Sequence, residues 1–377
     1  MKFLKRYQAI LLILSYDPIL FVSLIAAVFS GFFVPPSMKY LGYVDWRVIC
    51  LLLSLMLVVG GLQKVGAFGF LIGILLKLVH NTRTLAMALI GTCFFSSMLI
   101  TNDVALITFV PLGIMALTQI NKQELMIPII VLQTVAANLG SMLTPLGNPQ
   151  NLYLYTFFDI PVREFLKIMV LPSLLSLVLI SATVFLLIKP SVVEPITDLP
   201  TVTIKIKDAF PWLVLFLICL LAVLYFIPYI VALVSVIIVI VLLDRKILFR
   251  ADYCLLFTFV FLFIFIGNIT SIPAVSNTLC QLVSGREVTV GVLLSQVISN
   301  VPAAILLSKF ATNYSALIVG VNLGGLGTLI ASMASLISYK IYVGTTGVKK
   351  GKYIAVFTVI NLLFLGILCG FMASFLK

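Results

Sequence analysis

Residues 138–152 read NLGSMLTPLGNPQNL, a stretch that cannot form one continuous helix. Proline removes a backbone donor and clashes with the preceding turn, and glycine weakens a helix interior. Apolar sequence continues on both sides, so the pattern predicts a transmembrane helix over residues 125–155 that is broken in the middle. Such a break exposes backbone carbonyls from one half-helix, which suit a cation, and N–H groups from the other, which suit an anion.

The composition of the 377-residue chain places this broken helix in a membrane protein. Hydrophobic residues make up 62%, charged residues 10%, and the mean hydropathy is +1.26, whereas soluble domains are about half apolar and a quarter charged. A soluble enzyme and a disordered chain are therefore excluded. Stretches such as 213–227 are apolar on every face, which excludes the alternating strands of a β-barrel. We expect an all-α polytopic protein of the lipid bilayer, with full crossings at 17–34, 47–63, 125–155, 165–188, 211–227, 229–243, 253–268, 314–342 and 353–376.

Two further apolar stretches carry polar residues in the middle and fit badly as single crossings. Residues 84–118 are interrupted by ITNDVA at 100–105, and residues 288–312 by ISNVPA at 298–303. We interpret both as re-entrant hairpins, in which two short helices meet at a polar tip. Non-helical backbone at membrane depth is tolerated only where protein or a water-filled cavity surrounds it, so we expect the tips in the protein interior.

The two hairpins belong to an internal repeat. ITNDVA aligns with ISNVPA, which places Asn102 on Asn300, and NLGSMLTPLGNPQNL aligns with NLGGLGTLIASMASL at 322–336, which places Asn138 on Asn322. Five predicted crossings separate the copies, and an odd number reverses the orientation. We therefore predict two inverted-topology repeats, each with a re-entrant hairpin and a broken transmembrane helix, around a site near mid-membrane. The expected divisions are an N-terminal segment with the first transmembrane helix (1–44), repeat 1 (45–188), a cytoplasmic linker (189–209) and repeat 2 (210–377, with its broken helix at 314–342).

The basic residues predict the orientation. With the N-terminus inside, 17 of the 24 Lys and Arg residues fall on the cytoplasmic side and 7 outside, as the positive-inside rule requires. This distribution explains the net charge of +12 without a nucleic-acid partner. We expect a multi-pass protein of the cytoplasmic (inner) membrane, with its N-terminus in the cytoplasm and its C-terminus outside.

Asp103 is the only one of the twelve acidic residues that we place at membrane depth. Burying a carboxylate there costs at least ~2.5–3.5 kcal/mol unless it has a partner, so a functional role is the default hypothesis. Asp103 could bind a coupling Na⁺ or carry a proton. The alternative is a helix cap, since Thr101, Asn102 and Asp103 all suit the start of the second hairpin arm.

The two helix breaks offer neutral groups for binding. Their polar and glycine residues are Asn148, Gln150 and Asn151 in the first break, and Gly324, Gly325, Gly327, Thr328, Ser332 and Ser335 in the second. Three amides at membrane depth need partners, although the glycines could equally serve close helix packing. No Arg lies at depth in either motif, so a bidentate clamp for an anion is absent. One histidine and six scattered cysteines predict no metal site, and we expect no cofactor beyond Na⁺ or H⁺ as a coupling ion.

Four motifs, in order, resemble the ion transporter superfamily: ITNDVAL at 100–106, LTPLGNPQN at 143–151, SNVPA at 299–303 and NLGGLGTLIASMASLI at 322–337. That group includes arsenite-efflux permeases, sodium/proton antiporters of the D type, citrate–cation symporters and divalent-anion/sodium symporters. The resemblance is nearest to a bacterial inner-membrane branch of anion permeases. It implies a transport domain that slides against a scaffold, often within a homodimer.

The resemblance also implies site residues. Asn102 and Asn300 match hairpin-tip asparagines that contact substrate and cation in relatives, and Thr144, Asn148 and Thr328 match broken-helix positions. With some of the residues at the breaks and tips added, this gives the candidate set. It is Asn102, Thr144, Asn148, Asn151, Asn300, Thr328 and Ser332 for the substrate, and Thr101, Asn102, Asp103, Gly147, Ser299 and Asn300 for the coupling ion.

The sequence thus predicts a secondary active transporter that moves a small anion, an inorganic oxyanion or a carboxylate, by alternating access with Na⁺ or H⁺ coupling. A sodium/proton antiporter centred on Asp103 keeps the same fold and remains open. An intramembrane aspartyl protease would need two membrane-depth aspartates, and a metalloenzyme would need ligands that this chain lacks, so we expect no enzyme. A passive channel fits less well with paired helix breaks at inverted positions.

Overall fold

The computed structural model describes residues 18–76, 79–192 and 206–375. These residues form α-helices and no β-strand, with one isolated bridge between Asn81 and Val192. The helices are α1 (Pro18–Gly31), α2 (Lys39–Tyr43), α3 (Trp46–Lys64), α4 (Ala67–Leu76), α5 (Thr82–Ile100), α6 (Asn102–Gln119), α7 (Met126–Ser141), α8 (Pro149–Phe157), α9 (Val162–Leu187), α10 (Ile206–Val223), α11 (Tyr229–Leu243), α12 (Tyr253–Thr270), α13 (Pro273–Val283), α14 (Glu287–Ile298), α15 (Asn300–Ser308), α16 (Tyr314–Leu323), α17 (Met333–Val343) and α18 (Lys350–Met372). The N-terminal residues 1–17, most of the predicted linker and Lys377 lie outside the described residues.

Seven helical segments of the described chain are long and apolar enough to cross a membrane. They are α3, α5, α6, Gln123–Ser141, α9, α12 and α18. Four shorter apolar helices, α1, α11, α14 and α16, accompany them. The prediction of an all-α polytopic membrane protein is therefore confirmed.

The predicted break in the first motif is present. Helix α7, buried along nearly its whole length, ends at Ser141, and α8 begins at Pro149. Proline suits the first helical position because its missing N–H would be unpaired there anyway. Asn148 caps the new helix, and its Oδ1 accepts a hydrogen bond from the Asn151 N–H at 2.9 Å. The aligned second motif is interrupted in the same way between α16 and α17.

Two helices joined by a tight turn occupy each predicted hairpin, with the turns at the predicted residues, and the re-entrant character of the hairpins stays a prediction. Helices α5 and α6 meet at Thr101, and α14 and α15 meet at Ser299. The arms of the first hairpin contain 19 and 18 residues, against 12 and 9 in the second. The first hairpin is thus longer than the short helices expected, and its arms pack extensively along α7.

Aspartate caps begin the long helix that precedes each hairpin. Asp45 accepts a hydrogen bond from the Val48 N–H at 3.1 Å, and Asp252 accepts one from the Leu255 N–H at 3.0 Å. Their backbone angles are nearly identical, with φ −78° and ψ 89° at Asp45 and φ −79° and ψ 86° at Asp252. In the sequence each aspartate precedes an apolar run that reaches a glycine 15 residues on, Gly60 and Gly267, and the two runs begin with equivalent local structure.

One polar contact lies at each end of the helix bundle. In each contact, the orientation prediction places both partners on the same side of the membrane. Lys64 forms an ion pair with Asp244 at the end predicted to be cytoplasmic. The hydrogen bond from Lys64 lowers the pKa of Asp244. At the other end, Arg47 Nη2 donates to the carbonyl of Ala222 at 2.8 Å. Which end faces the cytoplasm stays a prediction from the charge count.

Candidate functional site

Each hairpin tip is attached to a helix break through its backbone. The Asn102 N–H donates to the carbonyl of Gly147 at 3.0 Å, and the Asn300 N–H donates to the carbonyl of Ala331 at 2.9 Å. Gly147 and Ala331 occupy corresponding positions in the alignment of the two motifs. Both tips are therefore held beside the interrupted helices, inside the protein.

The residues that turn the chain at the tips adopt matching, sparsely populated backbone conformations. Thr101 has φ 71° and ψ 149°, and Ser299 has φ 75° and ψ 154°. For residues other than glycine, such a conformation costs on the order of 1–3 kcal/mol and persists only where the surroundings enforce it. The backbone turn at each of these residues sets the direction of the second hairpin arm, which begins beside a helix break.

Side chains join the two helix breaks directly. Asn148 Nδ2 in the first break donates to Asn322 Oδ1 in the second motif at 3.0 Å. In the opposite direction, Ser332 Oγ donates to Asn138 Oδ1 at 3.0 Å. In the alignment Asn148 corresponds to Ser332, and Asn138 corresponds to Asn322. Each bond therefore joins the first of these positions in one motif to the second position in the other motif.

A second pair of hydrogen bonds follows the same exchange. Asn322 Nδ2 donates to Asn151 Oδ1 at 2.6 Å, and Asn138 Nδ2 donates to Ser335 Oγ at 3.4 Å. Asn151 and Ser335 again correspond in the alignment. Asn102 at the first hairpin tip adds a donor, since its Nδ2 lies 3.0 Å from Asn138 Oδ1.

We call this hydrogen-bonded group the amide cluster. All of its members are buried, and none is charged. They are Asn102, Asn138, Ser141, Asn148, Asn151, Asn322, Ser332 and Ser335. Buried amides and hydroxyls of this kind are costly unless paired, so the cluster fixes the relative positions of both breaks and the first tip.

Glycines let the tips and breaks approach closely. A Cβ on Gly325 would lie 2.8 Å from Nδ2 of Asn300, and one on Gly147 would lie 2.0 Å from the carbonyl oxygen of Ser141. Both distances are too short for a side chain. The glycines therefore serve the close packing that the sequence left open as an alternative, and they place Asn300 beside the amide cluster.

Thr144 and Thr328 occupy equivalent places but lie outside the amide cluster. The Thr144 hydroxyl donates to the carbonyl of Met98, and Thr328 Oγ1 donates to the carbonyl of Gln296 at 3.2 Å. These bonds attach each break to the first arm of its own hairpin. Thr328 is exposed, and its predicted contact with substrate stays a prediction.

Helix ends of both polarities converge on this region. Helices α6, α8, α15 and α17 begin at the tips and breaks, whereas α5, α7, α14 and α16 end there. Helix N-termini carry partial positive charge and favour an anion, and C-termini favour a cation. Gln150, in the first turn of α8, is buried, and its Nε2 donor has no hydrogen-bond partner among the described residues. The site can therefore bind an anion without a charged side chain.

Asp103 lies next to the amide cluster. Its backbone N–H donates to Oδ1 of Asn102 at 3.0 Å. Its own Oδ1 is inaccessible and has no hydrogen-bond partner among the described residues, and no side-chain cap bond is made at the start of α6. Asp103 is one of the residues that line a cavity of about 150 Å³, together with Thr101 and Asn148. Ion binding by Asp103 and the cap interpretation both stay predictions at this point.

Four members of the amide cluster were missing from the candidate set: Asn138, Ser141, Asn322 and Ser335. The repeat alignment had already marked Asn138 and Asn322 as equivalent, and that equivalence was the signal for a role in the site. Ser141 joins the cluster because the chain turns between α7 and α8. The turn brings Asn148 close enough for its Nδ2 to donate to Ser141 Oγ at 3.1 Å. Among the described residues, no group of three His, Cys, Asp or Glu side chains could hold a metal ion.

A polytopic helical membrane protein with a buried polar cluster at paired helix breaks has the construction of a membrane transporter. Residues 9–334 match the citrate transporter family, and the chain belongs to that family. It is 32% identical over 345 residues to an uncharacterized transporter of Methanocaldococcus jannaschii, covering 90% of this chain and 92% of the relative. It is 32% identical over 320 residues to the inner membrane protein YbiR of Escherichia coli, covering 82% and 84%. A putative transporter arsB of Dictyostelium discoideum is 29% identical over 161 residues, covering 42% and 28%.

Proposed function

We propose that this protein is a secondary active transporter that moves a small anion across the cytoplasmic membrane, coupled to Na⁺ or H⁺. The observation that carries the proposal is the amide cluster, in which Asn148 and Asn322 join two interrupted helices beside two hairpin tips. Irregular backbone at membrane depth is retained where it lines a binding site, and paired broken helices are typical of secondary transporters.

The converging helix N-termini, the neutral amides and the unpartnered Gln150 donor support an anionic substrate. Membership of a family described as citrate transporters agrees with a carboxylate, and an inorganic oxyanion offers similar acceptor oxygens. The helix C-termini and the carboxylate of Asp103 support the binding of a coupling cation near the cluster.

We further propose that residues 45–188 and 210–377 are inverted repeats that move as parts of a sliding transport domain and a scaffold. The exchanged hydrogen bonds and the matching strain at Thr101 and Ser299 support this division. A homodimer, a cytoplasmic N-terminus and an external C-terminus remain parts of the same proposal. They rest on the resemblance and on the distribution of basic residues.

The second candidate is a sodium/proton antiporter centred on Asp103. The observation in its favour is the buried Oδ1 of Asp103, which no donor among the described residues approaches. In that case the cavity beside the tip would carry the transported ions, and the amide cluster would have a structural role. Transport of an anion would then be absent.

Uptake into proteoliposomes tests the proposal. The purified protein is reconstituted and offered a panel of radiolabelled carboxylates and inorganic oxyanions, with and without a Na⁺ or pH gradient. We expect one anion class to enter only in protein-containing vesicles and faster with a gradient. Na⁺-dependent proton flux without uptake of any anion would instead identify the antiporter.

A further inference from the structure

A cavity of about 490 Å³ lies beside the second hairpin tip, and we call it the second cavity. It is bounded by α1, α12, both arms of the second hairpin and the region of the second helix break. Ile298 and Pro302, one on each side of the tip, form part of its wall. The cavity of about 150 Å³ that contains Asp103 is called the first cavity below.

The two cavities occupy corresponding places in the two halves of the chain. Each is bounded by a hairpin tip, a helix break and the long helix that begins at a capping aspartate. Four pairs of aligned residues line them, with the first member in the first cavity and the second member in the second. The pairs are Leu55 and Leu262, Val104 and Pro302, Leu146 and Ile330, and Leu152 and Leu336.

The linings of the two cavities differ in chemistry. The first cavity includes polar residues such as Gln63, Thr101 and Asn148, whereas Ser23 is the only polar residue among the described residues that line the second. The Ser23 hydroxyl already donates to the carbonyl of Leu20 at 2.8 Å. Water in a cavity needs two to four polar partners, and apolar cavities stay dry. The second cavity therefore suits an apolar occupant.

The second cavity opens at the surface of the helix bundle. Val22 in α1, Val297 in α14 and Ile330 in the second break line it, and each is more than half exposed. The nearby exposed residues Phe21 and Leu293 are also apolar, and α1 contains no charged residue. In a protein that crosses a membrane, such a surface faces lipid tails, which are as apolar as leucine. Lipid therefore has direct access to the opening.

We propose that the second cavity binds one acyl chain of a membrane phospholipid, which enters from the bilayer between α1 and α14. Filling the cavity restores the dispersion contacts that its apolar wall lacks when empty. The inner part of the chain packs against Ile298 and Pro302 at the hairpin tip. It also packs against Ile330, whose neighbour Ala331 accepts the N–H of Asn300 at 2.9 Å through its carbonyl. The lipid site thus adjoins the attachment of the second tip to its helix break.

Photolabelling with a modified lipid tests this proposal. The purified full-length protein is reconstituted into phosphatidylcholine vesicles that include a phosphatidylcholine with a diazirine in the middle of one acyl chain. After irradiation, the labelled residues are mapped by mass spectrometry. We expect label on Leu262 and Pro302, which are buried residues of the cavity wall, and on lipid-facing residues such as Val359 in α18.

Variants that fill the cavity provide the control. Ala26 lies in the cavity wall on α1, so Ala26→Phe places a ring where the acyl chain is expected. Ala26→Leu is a smaller filling variant that serves if the ring prevents folding. Val359→Phe adds bulk at an exposed position outside the cavity. Label on Leu262 and Pro302 should fall to background in the filling variant and persist in Val359→Phe, while the label on α18 persists in both.

Two results would overturn the proposal. One is label on Val359 without label on Leu262 or Pro302 in the wild type, which would show that another segment or a second copy of the chain fills the cavity. The other is label on those two residues that Ala26→Phe and Ala26→Leu leave unchanged. The readout needs no substrate and no ion gradient, so it is independent of the transport proposal. A protein that transports no anion would still show the labelling expected here.

Discussion

The amide of Asn148 donates from Nδ2 to Oδ1 of Asn322 at 3.0 Å, and this bond joins the two helix breaks. Asn148 also caps α8 through Oδ1, so a single side chain sets the start of one half-helix and its distance to the other motif. We therefore expect a movement of one break to be transmitted to the other. This linkage makes the amide cluster the natural place to test the proposed transport cycle.

Replacing Asn148 separates its two roles. Asn148→Ala leaves the buried amide of Asn322 without one donor, which costs about 1–3 kcal/mol of stability, and it removes the cap. Asn148→Ser keeps a capping oxygen but is too short to reach Asn322. We expect uptake to be lost in both variants and the melting temperature to fall further in Asn148→Ala. Normal uptake by Asn148→Ser would show that the link between the breaks is dispensable.

The hairpin-tip asparagines are expected to be essential for transport. Asn102→Ala and Asn300→Ala each remove a polar side chain beside the breaks while leaving the apolar packing in place, so expression should persist and uptake should be lost. Thr118→Ala, at an exposed position on the same hairpin arm as Asn102, is the control. If both asparagine variants transport normally, the substrate site lies elsewhere.

Asp103→Asn tests the coupling role directly. The substitution preserves size and capping ability but removes the charge, so gradient-driven accumulation should be lost. The fold should be unaffected or stabilised, since a costly membrane-depth charge disappears. Ion-driven uptake and melting temperature are measured together. Full coupled transport by this variant would assign Asp103 to the cap role.

Close packing of the first break against the first hairpin predicts intolerance at Gly140. A Cβ there would lie 2.1 Å from the carbonyl oxygen of Phe94, so Gly140→Ala should lower stability by about 1–3 kcal/mol. Gly91 lies in the same hairpin arm as Phe94 and has open space around it. Gly91→Ala should therefore be neutral or stabilising by up to about 1 kcal/mol. Equal melting temperatures for the two variants would contradict the packing described here.

The orientation proposal predicts opposite locations for the two sides of the last predicted crossing, residues 353–376. Single cysteines at Lys350 and Lys377, in a variant without the six native cysteines, should react with a membrane-impermeant thiol reagent from opposite sides. Intact cells report the outer surface, and inverted vesicles report the inner one. Labelling of both from one side would contradict the odd number of crossings on which the inverted repeats depend.

Local sequence patterns predicted the parts of the fold that depend on local chemistry. Proline and glycine located the first break, and the polar ITNDVA and ISNVPA motifs located both tips. Asp252 was placed in a loop or at a segment end, and it lies directly before α12 as its cap. The cavity that it lines is formed by distant segments, which hydropathy does not report. The alignment assigned Thr328 to a position equivalent to Thr144 but could not report its exposure, and its contact with substrate stays a prediction.

The most direct test of the transport proposal is accumulation against a concentration gradient. Proteoliposomes containing the wild-type protein are loaded so that a Na⁺ or pH gradient is imposed, and the internal concentration of the transported anion is followed until it is steady. We expect the anion to exceed its external concentration, and an ionophore that dissipates the driving gradient should abolish the excess. An internal concentration that only reaches the external one, whatever gradient is imposed, would contradict secondary active transport and indicate a passive pathway.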